Sequence, residues 1–411
     1  MKGKRLEAAM KMASLSIYKG ILRRTVPKAL YDLLWAQTDE SFLRAWGALF
    51  AALCERGMSG NLTGSLTEAA LYDENAFSLA AAAGREIPAP LREAAGRDLG
   101  TILELGALTP ADLLEDGPAG ARELSLPAWG CGQPVEQLAG AGSLEDRLEL
   151  FYRANGCGMS ARYRAFIWRD HGIHPVEHPD RTTLRDLKGY EIQRRMAIDN
   201  TVAFLVGLPA NNCLLYGDRG TGKSSTVKAI LNEYYMRGLR MIEMPKESLM
   251  DFPRLVDQIA PLPMRFILFI DDLSFSSQDD TYAALKAVLE GGLAARPANT
   301  LIYATSNRRH LVRETFSDRE GDEVHKGDTI QESLSLADRF GLSIRFSVPD
   351  KWRYLEIVRQ LAVQRGLEDH LDELEAPAER WATERGGRSP RCARQFIDDA
   401  EARIRRGEPL R

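Results

Sequence analysis

The stretch that most restricts how this chain can fold is Gly217-Asp218-Arg219-Gly220-Thr221-Gly222-Lys223-Ser224. It fits the Walker A pattern G-x-x-x-x-G-K-[ST] at every fixed position. The apolar run Cys213–Tyr216 precedes it and a helical pattern, Ser225–Tyr235, follows. Glycines let the backbone turn its N–H groups toward phosphate oxygens without Cβ clashes, and a helix N-terminus adds partial positive charge beside them. In this pattern Lys223 reaches the β- and γ-phosphates and the Ser224 hydroxyl ligates Mg2+. A glycine-rich turn that matched by coincidence would not need the strand before it and the helix after it. The expected nucleotide-binding residues are therefore Gly217, Asp218, Arg219, Gly220, Thr221, Gly222, Lys223, Ser224 and Ser225.

The sequence around the loop alternates strand with helix. Cys213–Tyr216, Met241–Met244, Phe266–Ile270, Leu301–Ala304 and Leu342–Phe346 are short apolar runs separated by helical patterns. This predicts an α/β fold with a five-stranded parallel sheet covered by helices on both faces. From Pro349 onward the pattern is helical, which predicts a small C-terminal helical subdomain.

Two of these strands end in polar groups suited to phosphate chemistry. Arg265–Ile270 runs into Asp271 and Asp272. Carboxylates are costly to bury and belong at the carboxyl edge of the sheet, where open α/β sheets bind ligands. Asp271 is expected to hold Mg2+ and Asp272 to orient or deprotonate an attacking water. Leu301–Ser306 ends at Asn307, placed to hydrogen-bond that water or the γ-phosphate, although an Asn closing a strand is also a common turn residue. Ala337-Asp338-Arg339-Phe340 directly precedes the last strand, and an arginine there suits a finger that stabilises charge on a transferring phosphoryl group. Ser389 and Pro390 fit the cap and first turn of the last helix. Arg391 then lies where the helix dipole opposes a cation, which favours a bound anion beside it. Arg394, one turn on, is the alternative.

The first ~115 residues read as helices. Phe42, Leu43, Trp46, Leu49 and Phe50 recur at helical spacing as one buried stripe, and Leu66–Ala83 reads as one Ala- and Leu-rich helix ended by Gly84. Gly117–Gly142 is loop-like, and Ser143 with Asp146 resembles a capping box. The expected domains are a helical accessory domain with linker (1–142), a helical connector (143–180), the nucleotide-binding domain (181–348) and a helical lid (349–411). His171, His174 and His178 lie in the connector. A zinc site there would need further ligands, and Pro175 and Pro179 favour an irregular loop with surface histidines.

Composition narrows the setting. The chain has 411 residues, 44% hydrophobic and 27% charged, with a net charge of −4. It is long enough to bury a core without disulfides or metals, and it carries no overall basic signal for nucleic acid. Five scattered cysteines without a CxxC pair fit reduced thiols in the cytoplasm. No apolar run approaches the ~18–20 residues needed to span a bilayer. The basic N-terminus, interrupted by Glu7 and Lys11, is not followed by an apolar h-region.

Taken in order, the loop (217–224), the acidic strand end (268–272), Asn307, Arg339 and Arg391 resemble the AAA+ superfamily. Upstream, Leu184–Glu191 is similar to the segment that packs on adenine there, and the resemblance implies that Leu187, Gly189 and Tyr190 line that pocket. More narrowly, residues ~150–400 resemble an uncharacterised bacterial ATP-binding family, the domain of unknown function 815. Leu187–Glu191, Leu214–Ser225, Ile270–Phe275 and Ala393–Asp398 carry that likeness. It implies ATP and Mg2+ as ligands, Lys223, Asp272, Asn307, Arg339 and Arg391 as catalytic residues, and Ser224 and Asp271 as metal ligands. Two departures stand out. Many AAA+ ATPases carry Asp-Glu where this chain has Asp271-Asp272, so turnover is expected to be low, or Asp279 or Asp280 to help. A polar insertion, Ser317–Glu332, lies between Asn307 and Arg339.

The leading expectation is a Mg2+-dependent ATPase that assembles as a homo-oligomeric ring or arc and remodels or loads a protein or nucleic-acid partner held by the N-terminal domain. A slow-hydrolysing nucleotide switch is the second reading. A small-molecule kinase shares the phosphate loop and is disfavoured by the finger and lid arginines.

Overall fold

A computed structural model describes residues 3–276, 281, 285, 286, 288, 289, 297–307, 312, 313 and 339–410. The chain forms two compact units, Met1–Arg162 with Leu262–Met264, and Tyr163–Pro261 with Arg265–Arg411. Asp279, Asp280, the insertion Ser317–Glu332 and the pair Ala337-Asp338 lie outside the described residues.

The first unit is helical: α1 (Lys4–Ala13), α2 (Thr25–Trp35), α3 (Asp39–Glu55), α4 (Leu62–Leu71), α5 (Ala76–Ala82), α6 (Ala89–Gly106), α7 (Pro110–Glu115), α8 (Ala119–Arg122), α9 (Leu144–Asn155) and α10 (Gly158–Arg162). On α3, Phe42, Trp46 and Leu49 are buried, while Leu43 and Phe50 flank the stripe half-buried. The loop-like stretch after α8 packs into the same core. Trp129 lies 4.7 Å from Trp46 between ring centroids, and the Trp46 Nε1 donates to the Pro127 carbonyl at 2.9 Å.

The single helix expected over Leu66–Ala83 is two. Asn75 accepts from the N–H groups of Phe77 and Ser78, and the Ser78 hydroxyl receives the Asn75 N–H. This capping box starts a new helix where apolar composition alone read as continuous. At Ser143 the cap is one-sided, its hydroxyl accepting from the Asp146 N–H at 3.2 Å. Residues 143–180, read as a helical connector, divide between the units. Leu148 and Tyr152 of α9 are buried in the first core, whereas Ala165–Pro175 forms strands of the second.

The second unit is built on a seven-stranded sheet in the order β2-β1-β4-β5-β7-β3-β9. Its strands are β1 (Ala165–Arg169), β2 (Gly172–Pro175), β3 (Cys213–Gly217), β4 (Leu239–Glu243), β5 (Arg265–Ile270), β7 (Thr300–Ser306) and β9 (Leu342–Phe346). A separate two-residue pair joins β6 (Phe275–Ser276) to β8 (Val312–Arg313). The five expected strands are parallel neighbours. The count of five is corrected by a hairpin. β1 adds to β4 in parallel and β2 returns antiparallel. Asp170 and His171, at φ of 50° and 56°, make the left-handed turn of a two-residue hairpin. Phe166 and Trp168 are buried in alternation on β1, a period-2 pattern that the nearby histidines and prolines obscured. His171 Nδ1 lies 2.8 Å from Asp251, and His174 is in β2.

Helices α11 (Glu191–Leu205), α12 (Lys223–Tyr234) and α13 (Phe252–Ile259) accompany the sheet. The C-terminal subdomain is α14 (Lys351–Gln364), α15 (Leu371–Glu384) and α16 (Pro390–Arg406), with a core of its own around Tyr354, Leu374 and Phe396. Among the described residues no helix is long and apolar enough to cross a membrane.

Candidate nucleotide-binding site

Parallel register brings the ends of four strands close to one level. Tyr216 of β3 pairs with Ser306 of β7, Gly217 with Phe346 of β9, and Ile270 of β5 with Ala304 of β7. The phosphate loop, Asp271–Asp272 and Asn307 therefore leave the sheet side by side. A cleft of about 570 Å3 opens there, with Lys223, Ser224, Asp271, Asp272, Asn307 and Arg391 among its walls. That volume lies within the ~300–1,000 Å3 usual for small-molecule sites.

The loop takes its shape from positive-φ glycines. Gly217 has φ of 131°, and a Cβ on it would stand 2.1 Å from the Phe346 carbonyl oxygen. Gly222, at φ of 91°, caps α12 without a side chain. The loop's first turn is tied to the end of β9: the Asp218 N–H donates to the Phe346 carbonyl at 3.0 Å, and the Asp218 carboxylate accepts from the Val348 N–H at 2.9 Å. Lys223 is 6% exposed. Its ammonium donates to the carbonyls of Gly217 and Asp218, both at 2.8 Å, and to Asn307 Oδ1 at 3.3 Å. Burial holds its pKa below the ordinary lysine value, against the opposing pull of Asp218, Asp272 and Asp271.

The acidic strand end faces the loop. Asp271 Oδ1 accepts from the Ser224 hydroxyl at 2.6 Å and from the Thr305 hydroxyl at 2.5 Å. The Asp272 N–H donates to Thr305 Oγ1 at 3.0 Å, and Asn307 Nδ2 donates to Asp272 Oδ1 at 2.5 Å. Asp272 has φ of 50°, left-handed for a non-glycine residue. Two chains of contacts result, Ser224–Asp271–Thr305 and Lys223–Asn307–Asp272. In the first, the Asp271 carboxylate and the Ser224 hydroxyl are hard oxygen donors, a pair that fits Mg2+ completed by phosphate oxygens and water. Thr305 joins this site only through the adjacency of β7 and β5, which the sequence does not display.

The base end is less uniform. Leu187 lines both the cleft and a narrower cavity next to it, which Phe346, Ile357 and Arg194 also border. Gly189 and Tyr190 are not among its described walls; they stand behind them. A Cβ on Gly189 would meet Ile357 Cδ1 at 2.8 Å. The Tyr190 ring packs on Phe346 at 5.2 Å and its hydroxyl donates to the Ser347 carbonyl at 2.5 Å; burial pushes the Tyr190 pKa up to about 12.

From the lid, the Ser389 hydroxyl caps α16, and the Arg391 N–H donates to the Gly220 carbonyl at 3.1 Å. Arg394 also borders the cleft, but its guanidinium donates to the Asp186 carbonyl at 3.0 Å. Arg339 is elsewhere. It sits in a turn before β9, whose Leu342 pairs with Cys213 at the opposite end of the strand from the loop. Among the described residues the cleft's walls do not include it.

A phosphate loop between β7 and β9, with the acidic β5 beyond β7 and a helical lid over the carboxyl edge, defines a P-loop nucleotide-binding protein of the AAA+ type. The family model described as "Protein of unknown function (DUF815)" matches residues 161–404, more than half of the chain, and the chain belongs to that family. Among solved structures it is similar to the RuvB Holliday junction branch migration motor of Thermotoga maritima, at 14% identity over 56% of this chain and 67% of that one, with a TM-score of 0.37. It is similar also to the ORC1 protein of Aeropyrum pernix in complex with DNA, at 17% identity over 55% and 63%, with a TM-score of 0.37.

Replacing Gly217 with alanine puts a Cβ against the Phe346 carbonyl in a left-handed backbone. The Gly217→Ala variant is expected to lose most of its affinity for ATP, measured by calorimetry, while far-UV circular dichroism stays near that of the wild type.

Proposed function

We propose that the chain binds ATP with Mg2+ in this cleft and hydrolyses it, using the energy to remodel or load a macromolecular partner. The observation that carries the reading is the meeting of a complete phosphate loop with two carboxylates and an asparagine at one sheet edge. Lys223 and the α12 N-terminus hold the phosphates. Ser224 and Asp271 hold Mg2+, which supplies charge neutralisation on the phosphate oxygens. Asp272 orients or deprotonates the attacking water, and Asn307 hydrogen-bonds that water or the γ-phosphate. Arg391 neutralises phosphate charge from the lid, and Leu187 packs on the base with Gly189 and Tyr190 supporting its pocket. Lys223→Ala tests the assignment directly: ATP binding, titrated by calorimetry, should be abolished. Unchanged affinity would sink it.

Arg339 acts on a neighbouring subunit's nucleotide in this reading. Leu342, three residues after Arg339, and Phe346 are separated by four steps of strand, about 13 Å at ~3.3 Å per residue. That distance favours a homo-oligomeric ring or arc, with the N-terminal helical unit recognising the partner.

One observation favours the second reading, a slow nucleotide switch. Asp272 is a methylene shorter than glutamate, and Asn307 already engages its carboxylate.

The two readings separate on steady-state turnover compared with ATP affinity, and Asp272→Asn tests the general base. ATP affinity should persist within a few-fold, while steady-state turnover falls by ~10²–10⁴, the usual worth of a general base. A fall of less than tenfold would assign the water to another group. For the finger, Arg339→Ala subunits are mixed with Lys223→Ala subunits. Turnover above that of either variant by itself is expected. Lack of rescue in a mixture that co-assembles by sizing would place the action of Arg339 within its own chain.

A further inference from the structure

We propose that Thr305 is a positioning residue for the metal-holding carboxylate: its hydroxyl sets the rotamer of Asp271 and anchors the strained backbone of Asp272. The inference rests on the reading of the cleft as a site for ATP with Mg2+.

Thr305 is the next-to-last residue of β7 and is 2% exposed. Its hydroxyl is used twice. It donates to Asp271 Oδ1 at 2.5 Å and accepts from the Asp272 N–H at 3.0 Å. Its carbonyl accepts from the Leu273 N–H at 2.7 Å. One residue thus grips three consecutive positions of the acidic strand end. Ser306, next along β7, adds a bond from its hydroxyl to the Leu273 carbonyl at 2.8 Å.

Asp271 Oδ1 has two other donors, the Ser224 hydroxyl at 2.6 Å and the Asp272 N–H at 3.2 Å. Ser224 is itself a metal-ligating group in this reading: its oxygen can hold the ion while its proton goes to Asp271, so that bond belongs to the metal site rather than to the sheet. The Asp272 N–H is the longest of the three contacts. Thr305 is the remaining short bond, and it comes from the buried side of the strand. It points Asp271 at the Ser224 side of the cleft without taking a place on the metal. The same hydroxyl holds Asp272 at a φ of 50°, the conformation that turns its carboxylate toward Asn307.

Packing by itself would need only the methyl group and the volume of Thr305. Valine keeps both and removes the hydroxyl. The full chain is therefore compared as wild type, Thr305→Val and Thr305→Ser. Each is titrated by calorimetry with a non-hydrolysable ATP analogue, once in EDTA and once in Mg2+. The readout is the ratio of the two affinities. Thr305→Val should bind within about threefold of wild type in EDTA. It should lose about tenfold or more of the Mg2+-dependent gain, the size expected for one hydrogen bond to a charged group. Thr305→Ser should recover that gain to within about threefold. If Thr305→Val does not fold, judged by circular dichroism, Thr305→Ala takes its place with the same expectation. A full Mg2+ gain in the hydroxyl-free variant overturns the proposal, and so does a serine variant that folds without recovery. A wild type that fails to bind the analogue in either buffer overturns the underlying reading of the cleft instead.

Discussion

The second unit depends at its working edge on one oxygen atom, Asp271 Oδ1, being shared by three segments of chain. Ser224 comes from the phosphate loop, Thr305 from β7, and the Asp272 N–H from the strand end itself. Asp271 is exposed at the top of the buried strand β5, and the bonds from the loop and β7 fix where its carboxylate lies. That is possible because the register of β3, β5 and β7 brings their ends to the same height. A slip of one residue in any of these pairings would turn every side chain of that strand to the other face and dissolve the arrangement. The apolar runs that fill the sheet core thereby fix the polar geometry above it.

Lys223 shows the same economy in reverse. A buried ammonium needs acceptors, and it finds them in the Gly217 and Asp218 carbonyls of its own loop. Asn307 touches both Lys223 and Asp272, so the ammonium and the second carboxylate are joined through one side chain. Asp272 is held in a left-handed conformation that costs on the order of 1–2 kcal/mol, and its hydrogen bonds to Thr305 and Asn307 offset that cost.

Much of this was legible in the sequence, for identifiable reasons. The phosphate loop is written in glycines whose φ values other residues rarely adopt, so the motif and its conformation are nearly the same information. The five parallel strands are continuous apolar runs because both faces of the sheet are covered. What escaped was written in weaker signs. The β1–β2 hairpin is short, half-buried and turned by Asp170-His171 rather than by glycine at both positions. The break between α4 and α5 lies in Asn75 and Ser78, two polar residues inside an alanine-rich run. Thr305 could not be singled out, since a threonine is at home in any strand and its role depends on which strand lies beside it. Tyr190 packs on Phe346 and Gly189 lies against Ile357, two residues that border the narrower cavity, and sequence spacing does not carry those contacts.

Asp218 binds the start of the lid to the phosphate loop at two points, the Phe346 carbonyl and the Val348 N–H. Those residues are thereby part of the loop in a mechanical sense. The helix α14 begins at Lys351, with the Asp350 carboxylate capping it through the Arg353 N–H. Between the clasp and the cap stands little more than Pro349, whose ring restricts its own torsion. The connection from the sheet to the C-terminal helices is therefore a very short stretch. Any movement of some sixty residues beyond it would have to run through those few backbone torsions.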